Sequence, residues 1–280
     1  MVLKAITRSF FRDKVASISL FVMLALLLVA VFAEVFAPYG IDEQNYLNAL
    51  KSPSPEHLMG TDQLGRDVLT KLIYGTRTTF IAGGMALIIP ILVGVPVGVI
   101  VGYIGGALDD LVMRVLDGIL AFPGILLALA VTGVLGVSLT NTMIAISIMM
   151  LPIFARLARG QTKQVVERDY IYAARLAGAN AWWIMLRHVL PNISSPIIVQ
   201  SSFSFSIAVL VESALSFLGL GAQSPEMSWG TLLREAYLAL YMNPWMIVFP
   251  SLAITLVILA SNNIGDRLRV ALDPRVRSSV

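Results

Sequence analysis

The sequence predicts an all-α membrane protein with six transmembrane helices and both termini in the cytoplasm. The first observation is composition: 57% of the 280 residues are apolar and only 13% are charged, whereas a soluble domain is about half apolar and about a quarter charged. The second is that several apolar segments reach the roughly 20 residues that a helix needs to cross a bilayer. The third is an uneven distribution of Lys and Arg between the loops, which sets the orientation.

Hydropathy places six candidate spans along the chain. They cover residues 18–37, 79–103, 118–137, 142–157, 193–218 and 245–264, each to within about 2–4 residues. The first apolar run is longer than the roughly 7–15 residues of a signal-peptide core, so we predict that it is retained as an anchor. Six spans place both termini on the same side of the membrane.

The basic residues decide which side that is, because Lys and Arg collect in cytoplasmic loops. With the N-terminus inside, the outside receives only five of the chain's 20 Lys and Arg residues, which are Lys51, Arg66, Lys71, Arg77 and Arg234. The others lie near the inner ends of the spans or in the loop from about residue 156 to 191. The sequence therefore predicts cytoplasmic termini and a long cytoplasmic loop between the fourth and fifth spans.

Several classes of function are disfavoured by what the sequence lacks. Cysteine is absent, which excludes disulfides and thiolate metal sites, and the two histidines, His57 and His188, are far apart. No GxxxxGK[ST] phosphate loop, HExxH or GxSxG motif occurs. The net charge of +3 fits basic cytoplasmic loops rather than nucleic-acid binding. We therefore expect no enzyme, no metal and no cofactor bound by this chain, and any energy for uphill transport must enter through a partner or a coupled ion.

The second span combines small residues with prolines. Gly94, Gly98 and Gly102 are spaced by four, so they share one helix face where another backbone can approach closely. Pro90 and Pro96 remove backbone donors and are expected to kink the helix. The face has two interpretations, which the sequence does not separate: ordinary packing in the membrane, or a pivot in a moving bundle.

Glu212 is the one acidic residue well inside a predicted span, about four residues from its outer end. A charged side chain at the bilayer centre costs about 2.5–3.5 kcal/mol, so such a group usually faces protein or water. Glu212 is therefore a candidate for lining the transport pathway, and the alternative is a hydrogen-bonding role between helices.

The segment of residues 38–78 is polar, rich in Pro and Gly, and too long for a simple turn. Together with the N-terminus and the first span it forms the first predicted part of the chain, residues 1–78. Residues 79–280 form the second part, a transmembrane core that includes the cytoplasmic loop at about residues 156–191. The segment contains HLMGTDQLGRDVL, where glycines permit tight turns and charges can pair across them. It is either a capped surface loop or an external docking and gating site, with these candidate residues: Gly60, Thr61, Asp62, Gly65, Arg66 and Asp67.

The cytoplasmic loop contains an amphipathic helical hairpin. Val166, Tyr170, Ala173, Ala174 and Ala177 fall on one stripe of a helix. Gly178 suits a helix C-terminus, Asn180 suits the cap of a second helix, and Pro191 is expected to end that helix. The small stripe favours contact with a protein, whereas Trp182 and Trp183 suit a lipid interface. From the residues alone, both kinds of docking stay open.

The segment YAARLAGANAWWIMLRHVLP resembles the EAA loop of ABC-importer permeases. Ala173, Ala174, Gly178, Leu190 and Pro191 stand at the positions that the motif specifies, and Tyr172 replaces its glutamate. The resemblance implies that the loop docks on a cytosolic ATPase. The candidate coupling residues are then Asp169, Tyr170, Tyr172, Ala173, Ala174, Arg175, Gly178 and Ala179.

Further segments resemble, in order, blocks of the second permease of the dipeptide, oligopeptide and nickel group. They are HLMGTDQLGRDVL, GYIGGALDDLVMRVLDGILAFP, ESALSFLGLGAQSPEMSWG and NNIGDRLRVALDPR. The resemblance implies the type I ABC importer permease fold in the inner membrane of a prokaryote. It also implies a heterodimer with a sister permease, two cytosolic ATPase subunits that hold ATP and Mg, and an extracytoplasmic substrate-binding protein. The expected cargo is a dipeptide or oligopeptide, with nickel or another small solute as the alternative, and an ion-coupled carrier as the alternative from another class.

Overall fold

The computed structural model describes Phe10, residues 13–223 and residues 226–272. Across this part of the chain the fold is helical, and the one β pairing is an isolated bridge between Thr61 and Asp67. The main helices, labelled α1 to α9, are Lys14–Val31, Val68–Ile104, Gly106–Leu120, Gly124–Leu135, Leu139–Val166, Asp169–Leu176, Ala181–Phe217, Trp229–Leu238 and Trp245–Leu272. The predicted all-α class is confirmed. The terminal basic residues Lys4, Arg8, Arg12, Arg275 and Arg277 lie outside the described residues.

Five of these helices, α1, α2, α5, α7 and α9, are long and apolar enough to cross a membrane. The helices α3 and α4 qualify only together, as one broken span whose halves meet at 89°. The prediction of a continuous span over residues 118–137 is therefore wrong. The break falls at Phe122 and Pro123, because proline has no backbone N–H and disfavours helical geometry in the residue before it. With the bent pair counted as one, the described residues contain six candidate crossings.

The glycine face of α2 packs directly on the backbone of α5. A Cβ atom added to Gly94, Gly98 or Gly102 would press on the carbonyl oxygen of Leu151, Ala155 or Arg159, respectively. These three α5 residues are also spaced by four, so two matching ridges meet along the contact. A π-helical turn at Pro90–Gly94 begins just before the contact. This wider turn accommodates Pro90, which has no backbone N–H to donate. The packing interpretation of the glycines is confirmed, and the pivot stays a prediction.

The main core lies between α2, α5 and α7. Ile146, Met150 and Phe154 of α5 are completely buried in it, as are Val189 of α7 and Ile171 of α6. In a soluble protein, burial of such a side chain away from water stabilises the fold by about 1.5–3 kcal/mol. Between helices in a membrane, the stabilisation comes from close packing instead. The core therefore includes the base of the hairpin as well as the candidate membrane-crossing helices.

Ion pairs fasten the two peripheral elements. Asp109 of α3 is buried and binds Arg159 and Lys163 of α5, with 2.7 Å from Lys163 Nζ to the carboxylate. On α1, the Arg77 guanidinium from α2 donates to the carbonyl oxygens of Ala30 at 2.9 Å and Val31 at 3.1 Å. A cation at the last carbonyls of a helix satisfies acceptors that have no partner within the helix.

Two details of the predicted hairpin are corrected by the structure. Pro191 does not end the second helix, because α7 continues through it to Phe217. A π-helical turn at Met185–Val189 lets the Leu190 N–H reach the carbonyl of Met185, and this wider turn accommodates the proline. The predicted stripe is also broken: α5 ends at Val166, and an extended residue, Arg168 (φ −82°, ψ 142°), precedes α6.

Candidate functional site

The hairpin that joins α5 to α7 consists of α6 and the first turns of α7. α6 ends in a pair of backbone bonds, from Gly178 to the carbonyl of Arg175 at 3.0 Å and from Ala179 to that of Ala174 at 3.1 Å. This is a Schellman motif, and it requires the positive φ of Gly178, which is 85°. Asn180 then caps α7 by accepting from the Trp183 N–H at 2.8 Å. The predicted helix end at Gly178 and the predicted cap at Asn180 are confirmed, and the coupling role of Gly178 stays a prediction.

Three contacts fix the hairpin against the bundle. Ile171 is fully buried in the main core. The His188 ring lies between Trp183 and Tyr170, with ring centroids 4.9 Å and 5.9 Å away. Arg175 places its guanidinium 5.1 Å from the centre of the Tyr103 ring, at the end of α2. The buried Ile171 and the Arg175–Tyr103 contact thus join the hairpin to the bundle, and the aromatic contacts join its two helices.

The rest of the hairpin is an uncovered surface with a large apolar share. Leu176 is 90% exposed at its tip, and Trp182, Leu186 and Tyr172 are 63%, 61% and 51% exposed. Of the candidate coupling residues, Ala174 and Ala179 are half-buried, and the exposed ones are Asp169, Tyr170, Tyr172, Ala173, Arg175 and Gly178. All eight lie at this end of the bundle, which we call the hairpin end. An exposed apolar patch of this kind marks a binding surface for another molecule.

The opposite end of the bundle, the loop end, carries the predicted docking motif. Gly60 and Gly65 have φ values of 78° and 71°, and a Cβ on either would collide with a backbone carbonyl, of Lys51 or Asn45. Asp62 Oδ1 accepts from the Leu64 and Arg66 N–H groups at 2.8 Å and 2.9 Å. The motif is therefore a tight, internally bonded turn.

The charges of the turn close a buried ion cluster with α2 and α8. Asp62 Oδ2 lies 2.7 Å from Arg66 Nε and 2.8 Å from Lys71 Nζ, and Lys71 also pairs with Glu235. Burial by itself raises the pKa of Asp62, but the Lys71 ammonium and hydrogen bonds from Lys71 and Arg66 outweigh it and hold that pKa below its ordinary value. Asp62 is thus kept ionised while almost fully enclosed.

Asp67 has a different role from the one its charge suggested. It caps α2 by accepting from the Thr70 N–H at 2.7 Å, and it lies 3.0 Å from the His57 ring. Thr61, Asp62 and Asp67 are all buried by the chain itself, so the motif forms a capped loop whose outer surface is carried by neighbours such as Leu47. External docking by these residues stays a prediction.

Sequence reasoning missed Lys71, Glu235 and His57 as members of these networks. Lys71 was counted only as a basic residue on the outer side, yet an isolated lysine at the start of an apolar helix signals a buried partner. Glu235 lies 164 positions away from Lys71 along the chain. No local pattern connects residues so distant, because the folded bundle alone brings α8 against α2.

Glu212 lies inside α7 near the loop end and is completely buried. Ser216 Oγ donates to it at 2.6 Å, and Ser213 lies 3.4 Å away. Gly221 lies so close to Ser216, and Gly230 so close to both Ser213 and Ser216, that no Cβ would fit at either glycine. Glu212 is therefore enclosed and bonded to serine hydroxyls of its own helix, and lining of the pathway stays a prediction.

Two family models match separate stretches of the chain. A model described as "Binding-protein-dependent transport system inner membrane component" matches residues 94–278, which is more than half of the chain. A second model, the N-terminal TM domain of oligopeptide transport permease C, matches residues 3–53.

Among the described residues, no group of three or more His, Asp or Glu side chains could hold a metal ion.

Close relatives extend the match along both chains. The dipeptide transport system permease protein DppC of Alkalihalophilus pseudofirmus is 42% identical, covering 95% of this chain and 88% of its own. The glutathione transport system permease protein GsiD of Pectobacterium atrosepticum is 40% identical, covering 97% and 90%. The di/tripeptide transport system permease protein DppC of Pseudomonas aeruginosa is 41% identical, covering 99% and 93%.

A solved structure shares the fold. The inward-facing MetNI methionine ABC transporter superposes on 73% of this chain and 98% of its own chain, with a TM-score of 0.59 and 17% sequence identity. At that identity the likeness shows the type I permease fold alone. Together with the family models and the bundle of apolar helices, these findings show that the chain belongs to the family of binding-protein-dependent transport system inner membrane components, as a non-enzymatic, multi-pass permease subunit of an ABC importer in the inner membrane.

Proposed function

We propose that this chain is the second, C-type permease of an importer for short peptides and forms the translocation path with a sister permease. The cargo class is supported by one observation: relatives that match 95% to 99% of the chain are named for dipeptide, di/tripeptide and glutathione transport. Glutathione is itself a tripeptide. All three names therefore refer to a small solute with amide bonds and charged ends.

The hairpin is the proposed contact with two cytosolic ATPase subunits, which bind ATP and Mg. The length of α7 supports docking of the hairpin on a protein rather than anchoring in lipid. α7 has 37 residues and is about 55 Å long at about 1.5 Å per residue, whereas the hydrocarbon layer is about 30 Å thick. With Phe217 at the outer boundary, Trp182 lies about 20 Å beyond the inner one. The exposed apolar surface of the hairpin is then available to a cytosolic protein.

The remaining partners are assigned to the other free surfaces. The loop end is the proposed docking side for the substrate-binding protein, and the loop end then faces outward, as the distribution of basic residues predicts. The sister permease is assigned to the bent pair of helices, where Leu111, Val115 and Val134 are 61%, 61% and 87% exposed. Lipid covers what the sister permease leaves free.

The proposed cargo is tested by reconstituting the chain with its sister permease, ATPases and binding protein. ATP-dependent uptake of a labelled dipeptide is expected, and ⁶³Ni²⁺ supplied with the same binding protein should stay outside. Uptake of nickel without peptide would overturn the peptide assignment. Transport of either solute by this chain alone would overturn the subunit assignment and favour a carrier.

A further inference from the structure

A cavity of about 910 Å³ opens at the hairpin end, between α5, α6, α7 and α9. Small-molecule sites in proteins typically have volumes of about 300–1,000 Å³. The cavity is therefore large enough for a short peptide with some water. It lies behind the coupling hairpin, and the first residues of α6 form part of its wall.

One part of the lining consists of carboxamides. Gln161 and Gln164 of α5 have no hydrogen-bond partner among the described residues. Gln200 and Asn192 of α7 each donate one bond, to Ser204 at 3.1 Å and to the His188 carbonyl at 2.6 Å, which leaves their side-chain oxygens available. A carboxamide both donates and accepts hydrogen bonds. It therefore matches the N–H and the C=O of a peptide unit, whatever the neighbouring side chain.

A second part of the lining is charged and has no internal partner. Arg168 and Asp169 come from the start of α6, and Arg269 comes from α9. In the part of the chain that the structure describes, none of these three side chains takes part in an ion pair. A guanidinium binds a carboxylate through paired N–H groups, and a carboxylate binds an ammonium. Both ends of an unblocked peptide thus have a complementary group.

We propose that this cavity is a binding site for short zwitterionic peptides on the cytoplasmic side of the permease, with carboxamides that bind the peptide bond and Arg269 that binds the C-terminal carboxylate. The proposal rests on the proposed function as a peptide permease. A peptide in this site touches the residues that begin α6. Peptide binding can therefore act on the hairpin, which contacts the ATPase in the proposed function.

The absence of cysteine in the chain permits a direct test by single-cysteine protection. Gln161→Cys is introduced into the complete transporter in lipid nanodiscs, where both sides are accessible, and the rate of maleimide reaction on this chain is measured. Alanyl-phenylalanine is expected to slow the reaction about elevenfold when present at ten times its dissociation constant. The reason is that the fraction of unoccupied sites is 1/(1 + [L]/Kd). The control, Lys14→Cys, is exposed at the start of α1 and lies outside the cavity, and its rate should not change.

The charged ends are tested with blocked peptides. Alanyl-phenylalanine amide lacks the carboxylate and should protect more weakly than the free peptide. In an Arg269→Gln background the two peptides should protect equally, whereas a Lys14→Gln background should preserve the difference. Equal protection by both peptides without either background substitution, protection at Lys14→Cys, or an unreactive Gln161→Cys would overturn the site. If the peptide is imported but gives no protection, the site fails and the proposed function stands. If no peptide is imported at all, the proposed function fails.

Discussion

Single residues set the geometry at both ends of the molecule. Gly178 has a φ of 85° at the end of α6, and nothing lies within 4 Å of the position that its Cβ would occupy. A substitution there acts through backbone strain of about 1–2 kcal/mol and through bulk on the exposed surface, and leaves the core untouched. At the loop end, Lys71 is fully buried and pairs with both Asp62 and Glu235. Arg66 pairs with the same two carboxylates but is partly exposed.

The hairpin residue gives the first prediction. Gly178→Arg should leave the protein in the membrane but uncouple ATP hydrolysis from uptake, because a bulky charged side chain then projects from the proposed docking surface. The measurements are substrate-stimulated ATPase activity and peptide uptake in proteoliposomes. Gly178→Asn is the matched control, since Asn tolerates positive φ, and it should retain most of the activity. Full coupling in Gly178→Arg would show that the ATPase does not contact this turn.

The second prediction concerns the ion cluster. Lys71→Met leaves Asp62 enclosed with one cation fewer and should lower the free energy of unfolding by on the order of 3 kcal/mol. Thermal unfolding of the purified protein at pH 7 measures this loss. Lys51→Met, an exposed lysine in the same segment, should change the midpoint very little. Equal midpoints for the two variants would mean that the buried lysine does not stabilise the fold.

The same cluster predicts a pH dependence with a defined sign. The folded pKa of Asp62 is depressed, so its contribution to stability is complete above the unfolded pKa of about 3.9 and is lost as the pH falls through the folded value. In Lys71→Met the burial of Asp62 persists while the main lowering interaction is removed, so the folded pKa rises. Where that folded pKa exceeds the unfolded value of about 3.9, the folded state binds the proton more tightly than the unfolded state. The unfolding midpoint of Lys71→Met should therefore rise, relative to that of the unsubstituted protein, as the pH falls from 7 to 4, because protonation relieves the enclosed Asp62 carboxylate. Parallel curves would contradict this assignment.

At the scale of elements, the contact between α2 and α5 shows what sequence spacing can and cannot predict. The spacing of Gly94, Gly98 and Gly102 predicted a face for close packing, and the structure confirms it. The partner face on α5 has no comparable signal, because the contact is made by backbone carbonyls of Leu151, Ala155 and Arg159 rather than by a residue type. Likewise, Pro123 signals a break, but the 89° angle between α3 and α4 follows from the surfaces that they pack against.

The third prediction tests the helix contact. Gly98→Val should separate α2 from α5, because its Cβ would collide with the Ala155 carbonyl, and a displaced α5 also displaces the hairpin. We expect loss of uptake and a lower thermal midpoint in the purified complex. Gly84→Val, on the same helix with open space around the added Cβ, serves as the control and should fold and transport normally. Equal behaviour of the two variants would refute the close contact.

The whole molecule is a bundle with a functional surface at each end, and its orientation in the membrane is the fourth prediction. The chain has no cysteine, so single cysteines report accessibility directly. Leu47 and Leu176 are each 90% exposed, at the loop end and the hairpin end. In intact cells an impermeant maleimide should label Leu47→Cys and spare Leu176→Cys, and cell lysis should make the second site reactive. The reverse pattern would place the hairpin outside and exclude coupling to a cytosolic ATPase.

The sequence by itself determined the class, most of the spans, the hairpin with its glycine turn, and the family, because hydropathy, turn residues and motif order are local properties of the chain. The structure decided what depends on contacts between distant residues. These are the pairing of Lys71 with Glu235, the enclosure of Glu212, the continuation of α7 through Pro191 by a π-helical turn, and the polar cavity behind the hairpin. The physical reason is that burial and pairing free energies belong to surfaces assembled from several helices, and no single segment encodes them.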